Sequence, residues 1–430
     1  MTTNSVTAFR PQTLQALTRI DSNRNGVTTQ ELASQVDTDH DGAISATEAQ
    51  AQGIAAEDVT AVNAAYQSHA SNPTAVVFGR PNLERQSASQ TMQAVFSRID
   101  GDSDGYLSRT ELNAALHDSS FTGRDAAAVA AMNKYVGDIE EYADDEMGDE
   151  NDGVTMADLR EFINQDDETA TNISNLVQYG NNTIASTNRS LFPAGVSSIR
   201  PDNIRQGMIG DCYFLAAVAS QARTPEGRQA IHDMIGDNHD GTFTVTFPGR
   251  DPVTVSAPTD AELATYSSAG SDGLWLAVLE KAYAESENNG AIFPSENPYD
   301  EIGDGNYLSA GIEAMTGHST DTDDTAFTSL ETTRSKLTDA LSHGRVVSAG
   351  INEYPWSSGT ESNGLPQGHA YTVLSFDPAS DTITLRNPWG RGEPVNASGQ
   401  PLDGNNDGTF TMTLAEFDEY FSNICYEQAE

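Results

Sequence analysis

Over the first 165 residues, apolar positions recur at helical spacing and are interrupted by short, acidic, glycine-bearing breaks. Leu14, Leu17 and Ile20 share one face of a helix predicted over 13–20, and a similar run returns at 91–99 with Val95, Phe96 and Ile99. A helix-rich stretch covers 124–142. Residues 166–199 are rich in Asn, Ser and Thr with little apolar periodicity, which predicts a linker with at most a short helix near Ile173 to Tyr179. Beyond it the pattern mixes periods. The apolar run 214–218 reads as a buried helix, 242–248 alternates like a strand, 274–284 and 332–343 are helical, and 346–349 is a strand. Residues 368–374 and 385–387 read as two further strands. The turn cluster 377–381 between them predicts a hairpin.

The acidic breaks carry a ligand pattern. Residues 37–48 place Asp37, Asp39, Asp41 and Ser45 at positions 1, 3, 5 and 9, with the Ala43 carbonyl at 7 and Glu48 at 12. Gly42 at position 6 allows the sharp turn. Oxygen ligands in that order form an EF-hand calcium loop, its last glutamate supplying two oxygens. Residues 100–111 repeat it with Asp100, Asp102, Asp104, the Tyr106 carbonyl, Ser108 and Glu111. A loop beginning Asp21, Asn23, Asn25 is one residue short, its acid Glu31 arriving at position 11. A fourth, around 149–155, mirrors that shortening, and position 1 falls on Gly148. The repeat predicts two EF-hand pairs, about 10–70 and 88–165, within an all-α domain over 1–165. Each pair is expected to join its loops through a short two-stranded contact at residues such as Ile44 and Leu107.

Charge extends this picture. There are 64 acidic residues against 22 Lys and Arg, a net charge of −42, with Lys134, Lys281 and Lys336 the only lysines. Such a surface repels nucleic acid and anionic membranes and suits cations. No apolar run is long enough to span a bilayer, and 1–12 lacks the basic and apolar regions of a Sec signal. The expected location is therefore cytoplasmic, or outside by a route without that signal. The two cysteines, Cys212 and Cys425, are read as free thiols.

Cys212 follows the turn Gly207–Gly210 and opens the apolar run, a placement expected to lower its thiol pKa at a helix N-terminus and make it a nucleophile. Gln206, six residues upstream, is placed to meet an oxyanion beside the Cys212 N–H. The hairpin brings His369 toward Asn387, and Pro388 holds Asn387 extended. Cys, His and Asn in that order form a papain-like arrangement, the asparagine fixing the imidazole's tautomer.

Six segments, 206–217, 272–285, 306–317, 368–374, 385–393 and 407–421, together resemble the calpain protease core in its own order. The resemblance covers roughly 190–430 and implies an α+β fold. That fold is a papain-like two-lobed catalytic core (lobe one about 190–325, lobe two about 326–430) behind the EF-hand domain and a linker at 166–189. It implies Cys212 as nucleophile, His369 as base and then acid, Asn387 as orienter, Gln206 at the oxyanion, and Trp389 covering the His–Asn bond. It also implies calcium in the core, with Glu393 and Asp407 as second-lobe ligands assisted by Asp403 and the Asn405 carbonyl. Thr409 stands where the family usually has an acid, Asn203 where it has aspartate, Ser198 where it has glycine, and Tyr213 where it has tryptophan. The implied function is a calcium-dependent cysteine endopeptidase acting on protein substrates through a thioester acyl-enzyme. The rivals are a transglutaminase-like acyl transferase on the same triad and a catalytically retired calcium-binding adaptor. Oligomeric state is open.

Overall fold

The computed structural model describes residues 8–143, 153–353 and 359–429. They form two compact units, one of 1–184 with 259–265, the other of 185–258 with 266–430.

The first unit is helical. Its early core gathers Leu14, Leu17 and Ile20, the face that helical periodicity singles out, with Leu32, Val62 and Leu83. The loops at 21–31, 37–48 and 100–111 share one backbone. Arg24, His40 and Ser103, each at position 4, are left-handed with φ of 58–63°, and the glycine two residues on has φ of 83–99°. The helices Thr29–Gln35, Ala46–Ala51, Arg109–Leu116 and Met156–Glu161 each open with a capping box. The loop's last acid (Glu31, Glu48, Glu111 or Asp158) accepts from the cap residue's N–H at the third helical position. The shortened loops thus keep their acid at the same structural place, which counting from position 1 obscured.

Loop pairing departs from expectation in the first half. Tyr106–Leu107 pairs antiparallel with Val154–Thr155, as predicted for Leu107. A Cβ on Gly153 would lie 2.3 Å from the Leu107 carbonyl oxygen, so only glycine permits that approach. Ile44, however, is not in a ladder: its N–H goes to the Asn63 side chain at 2.8 Å, and Val27–Thr28 pairs instead with Val76–Phe78. Residues 148–152 of the fourth loop lie outside the described residues. The expected linker is also corrected, because Glu168–Ser186 is one helix burying Ile173, Leu176 and Val177. Residues 259–265, read from sequence as protease lobe, complete the first unit, where the Thr259 hydroxyl donates to the Leu116 carbonyl at 2.6 Å.

In the second unit, a three-stranded antiparallel sheet (Ile235–Asp237, Thr242–Val245, Val253–Ser256) accompanies the helices Cys212–Gln221, Trp275–Gly290 and Leu308–Thr316. A six-stranded antiparallel sheet follows, in the order Thr409–Thr413, Thr382–Arg386, His369–Asp377, Val347–Ile351, Asn423–Glu427, Thr320–Asp324. Its last strand comes from residues assigned to lobe one, so the sheet begins before 325. The hairpin forms with Thr372 opposite Arg386 and Asp377 opposite Thr382. Val347, Tyr371, Val373, Leu385, Phe417 and Ile424 lie in the core of this sheet. Cys425 lies buried on a central strand and accepts from the Thr322 hydroxyl. Among the described residues no helix is long and apolar enough to cross a membrane.

Candidate active site and cation loops

The helix Cys212–Gln221 is buried on every side, which the apolar run 214–218 anticipates. It lies along the large sheet: the Thr372 hydroxyl donates to the Ala216 carbonyl at 2.9 Å, and the Val347 N–H donates to Ser220 Oγ at 2.9 Å. Cys212 therefore starts its helix at the end of the His369 strand, where the Ala370 N–H faces its sulfur. The turn before it is tight: the Gly210 N–H donates to the Gly303 carbonyl at 2.7 Å, and a Cβ there would come within 2.5 Å of that oxygen.

His369 Nε2 lies 2.9 Å from Asn387 Oδ1. That oxygen also accepts from the Trp389 N–H at 2.9 Å, while Asn387 Nδ2 donates to the Gly392 carbonyl at 3.0 Å. These contacts fix the amide's orientation. Oδ1 can only accept, so Nε2 carries the imidazole proton and Nδ1 keeps its lone pair. The Trp389 ring tilts over His369 with centroids 4.3 Å apart, and Tyr371 stands edge-on at 5.0 Å. Asn387 is fully buried beneath the half-exposed tryptophan. Gln206 is tied to the same turn by its N–H on the Pro388 carbonyl at 2.9 Å. Its side-chain Nε2 donates to the Ile209 carbonyl at 2.7 Å, leaving one amide hydrogen, and the Cys212 N–H, first in its helix, is unused within that helix.

Burial reverses the expected thiol shift. It pushes Cys212 up to about 11, outweighing the N–H groups of Ala370, Tyr213 and Cys212, and pulls His369 down to about 4 against the help of Asn387. Both shifts favour the uncharged forms, thiol and neutral imidazole. The helix N-terminus acts as foreseen, but it is the smaller effect.

Sequence reasoning gave no role to Arg386, which is 1% exposed. Its guanidinium donates to the Asp407 carbonyl (2.8 Å), Thr409 Oγ1 (3.2 Å), and the carbonyls of Asp202 (3.0 Å) and Ile204 (3.1 Å). It thereby fastens the segment leading to Gln206 onto the strand leading to Asn387. Only its place inside the quoted 385–393 segment hinted at this.

The cation loops can be tested for fit. Asp37, Asp39 and Glu48 bring one oxygen each within 4.8 Å of the others, as do Asp100, Asp102 and Asp104. Asp37 Oδ1 and Asp100 Oδ1, both at position 1, are buried without a hydrogen-bond partner. The other Asp37 oxygen is held by Tyr66 and the Gly42 N–H. The Ser45 N–H and hydroxyl hold the Glu48 carboxyl down at about 2. Orphaned carboxylate oxygens in an acidic cluster fit a hard divalent cation. The Asp21 loop shares the buried, unpartnered position-1 oxygen, Asp21 Oδ1, but differs elsewhere. Asp21 Oδ2 is paired with the Arg80 guanidinium at 3.1 Å, and Glu31 accepts from Ser22 and Thr28. In the second unit, Glu393 Oε1 accepts the N–H groups of Asp407 and Gly408, both at 2.6 Å, while Oε2 is buried and unpartnered. Burial, with Asp403 and Asp407 nearby, raises its carboxyl.

Known proteins match two parts of the chain. Residues 181–426 match the family described as calpain family cysteine protease, and 34–50 and 92–117 match the EF hand. Human Calpain-9 is 28% identical over 259 residues, 52% of this chain and 35% of its own length. Mouse Calpain-5 is 28% identical over 289 residues, 54% of this chain and 43% of its own, and the maize calpain-type cysteine protease DEK1 is 27% identical over 213, 45% and 9%. The chain spans less than half the length of each of these relatives.

Proposed function

This chain belongs to the calpain family of cysteine proteases, and from that premise we propose that it is a calcium-dependent cysteine endopeptidase acting on protein substrates. The observation that carries the reading is the bond from His369 Nε2 to an asparagine whose amide is locked on both sides, on the strand beside the only thiol at a helix start. His369 Nδ1 takes the thiol proton as Cys212 Sγ attacks the peptide carbonyl, and the tetrahedral oxyanion forms against the Cys212 N–H and the remaining Gln206 amide hydrogen. The imidazolium then gives its proton to the departing amine. This leaves a thioester that water, activated by the same nitrogen, hydrolyses. Because Asn387 fixes Nε2–H, the imidazole enters each step in one tautomer. Water is kept from that bond by Trp389.

Calcium would be held by Asp37, Asp39, Asp41, the Ala43 carbonyl, Ser45 and Glu48, and by Asp100, Asp102, Asp104, the Tyr106 carbonyl, Ser108 and Glu111. Glu393 and Asp407 would serve a second-unit site. Bound calcium supplies positive charge that relieves repulsion among these carboxylates. In the Asp21 loop the Arg80 guanidinium already supplies a cation, so this loop is proposed as the weakest of the three.

The reading is tested by titrating calcium into the full chain with casein while counting new peptide N-termini. Hydrolysis should rise with calcium. New amide crosslinks in place of N-termini would mean an acyl transferase, and no reaction would mean an adaptor. A second expectation concerns the ligands. Glutamine can still close the capping box at position 48, so Glu48→Gln should keep its helix while losing the paired oxygens. Calorimetric titration should show one tight calcium site lost in Glu48→Gln and two in Glu48→Gln/Glu111→Gln. Two tight sites surviving in the double variant would disprove the assignment.

A further inference from the structure

Directly before the sulfur lies a pair of acids that the proposed chemistry leaves unused. Asp211 and Glu280 are both fully buried, the first at the N-terminal cap of Cys212–Gln221 and the second within Trp275–Gly290. Asp211 does not cap its helix through its side chain. No well-formed hydrogen bond from an amide or hydroxyl reaches either carboxyl oxygen. The Asp211 carboxyl instead faces that of Glu280. The Gln206 amide also faces the Asp211 carboxyl, with one of its two hydrogens on the Ile209 carbonyl. Glu280 Oε2 accepts from the Ser267 N–H at 2.8 Å and the Ser267 hydroxyl at 2.7 Å.

Two carboxyl groups facing each other inside a dry interior cannot both be ionised, so one of them keeps a proton that it can donate to the other. Two donors already mark Glu280 as the anion. We propose that Asp211 is held as a neutral carboxylic acid donating its proton to the Glu280 carboxylate, and that this pair positions the start of the Cys212 helix without setting a negative charge beside the sulfur. Burial first, and then the Glu280 charge, hold the Asp211 carboxyl well above the ordinary carboxylate range, and an ionised Asp211 would push the Cys212 thiol up further. The other titratable groups facing Asp211 are Cys212, Tyr213 and Tyr283, all raised and neutral at pH 7. Next to Tyr283, Arg250 and Glu287 pair with each other, and Lys281, beside Glu280 in sequence, donates to Ser256 Oγ. None of these offers Asp211 a counter-charge.

The pair also reaches the second oxyanion donor. Ser268, next to the serine that holds Glu280, exchanges backbone hydrogen bonds with Arg205 at 3.1 and 2.9 Å, and Arg205 precedes Gln206. One proton thus links the frame of the Cys212 N–H to that of the Gln206 amide. Asp211 and Glu280 are positioning residues, and the assignment rests on the proposed role of Cys212.

The test uses the full chain. The infrared spectrum at pH 7 should contain the carbonyl stretch of a protonated carboxylic acid, absent from Asp211→Asn. The asparagine amide still donates to Glu280, so Asp211→Asn should turn over close to wild type. Glu280→Gln turns the acceptor into an amide that cannot serve Ser267 and the Asp211 proton together. It should lower kcat at least about tenfold, the scale of one pKa unit at the thiol, with KM little changed. Proton counting gives an independent sign. The folded chain holds a proton on Asp211 that the unfolded chain releases above the usual carboxylate range. Between pH 5 and 8, wild-type stability should therefore fall with rising pH more steeply, by one proton, than that of Asp211→Asn. Asp211→Asn proving as damaging as Glu280→Gln would overturn the proposal. So would a wild type with no carboxylic-acid band at pH 7, whatever the variants do. The band needs no turnover, so an inert wild type that shows it would sink the peptidase reading and leave the pair, while an active one lacking it would do the reverse.

Discussion

Cys212→Ala should abolish calcium-dependent peptide hydrolysis, a fall of at least about 10⁴-fold, while Cys425→Ala leaves it near wild type. The two thiols are both buried, but only Cys212 begins a helix beside the His369 strand; Cys425 sits mid-strand against Thr322. Removing one sulfur changes little packing volume, so calcium binding by the first unit and the melting of the second should be retained. That separates lost chemistry from lost fold. Labelling gives a second check. With burial pushing the thiol up to about 11 and the imidazole down to about 4, both groups are expected to be neutral between those values. Alkylation of Cys212 in the full chain by a neutral reagent should therefore climb toward alkaline pH. A flat neutral region, the mark of a standing thiolate–imidazolium pair, would contradict the burial argument. Turnover surviving in Cys212→Ala would end the mechanism.

What the sequence made legible was local. The loop ligands fall within twelve residues, and the hairpin that joins His369 to Asn387 is announced by its turn cluster and the proline after Asn387. The family match bears out the α+β reading with EF hands ahead of the protease core. What stayed hidden depends on distant partners. Nothing in Ile44 says that its N–H will take the Asn63 side chain while Val76–Phe78 completes the neighbouring loop's ladder. Polar composition at 166–189 concealed a helix, because Ile173, Leu176, Val177 and Ile184 supply enough of an apolar face to bury it. The direction of the thiol shift was misjudged for the same reason. A helix N-terminus is visible in sequence, whereas the burial that outweighs it comes from strands some 135 to 160 residues further along. Asp211 and Glu280 each stood inside a family-like segment, yet only the fold brings them face to face.

Arg386→Leu should destabilise the second unit by about 3–5 kcal/mol, the range seen when one partner of a buried charged network is removed. Leucine fills part of the volume but leaves the carbonyls of Asp202, Ile204 and Asp407 facing apolar surface, each costing about 1–3 kcal/mol if water does not reach it. Removing a buried charge offsets part of this, since burial and the neighbouring Arg205 already depress the guanidinium to about 10. For a domain of this size the net loss lowers the melting temperature by about 10–15 °C. Its consequence for function is more specific than unfolding. Arg386 is the side chain that holds the approach to Gln206 against the strand carrying Asn387, so its loss frees the oxyanion donor relative to the imidazole. Well below the new melting temperature, kcat should fall more than KM rises, because misplacing a donor by about 1 Å can cost about a hundredfold in turnover. Calcium titration of the loops at 37–48 and 100–111 should be unchanged, since they lie in the other unit. Calorimetry showing the second unit's transition within about 2 °C of wild type, less than the shift about 1 kcal/mol would give, would mean that the four hydrogen bonds of Arg386 are replaced by water at no cost and that the clamp is not structural.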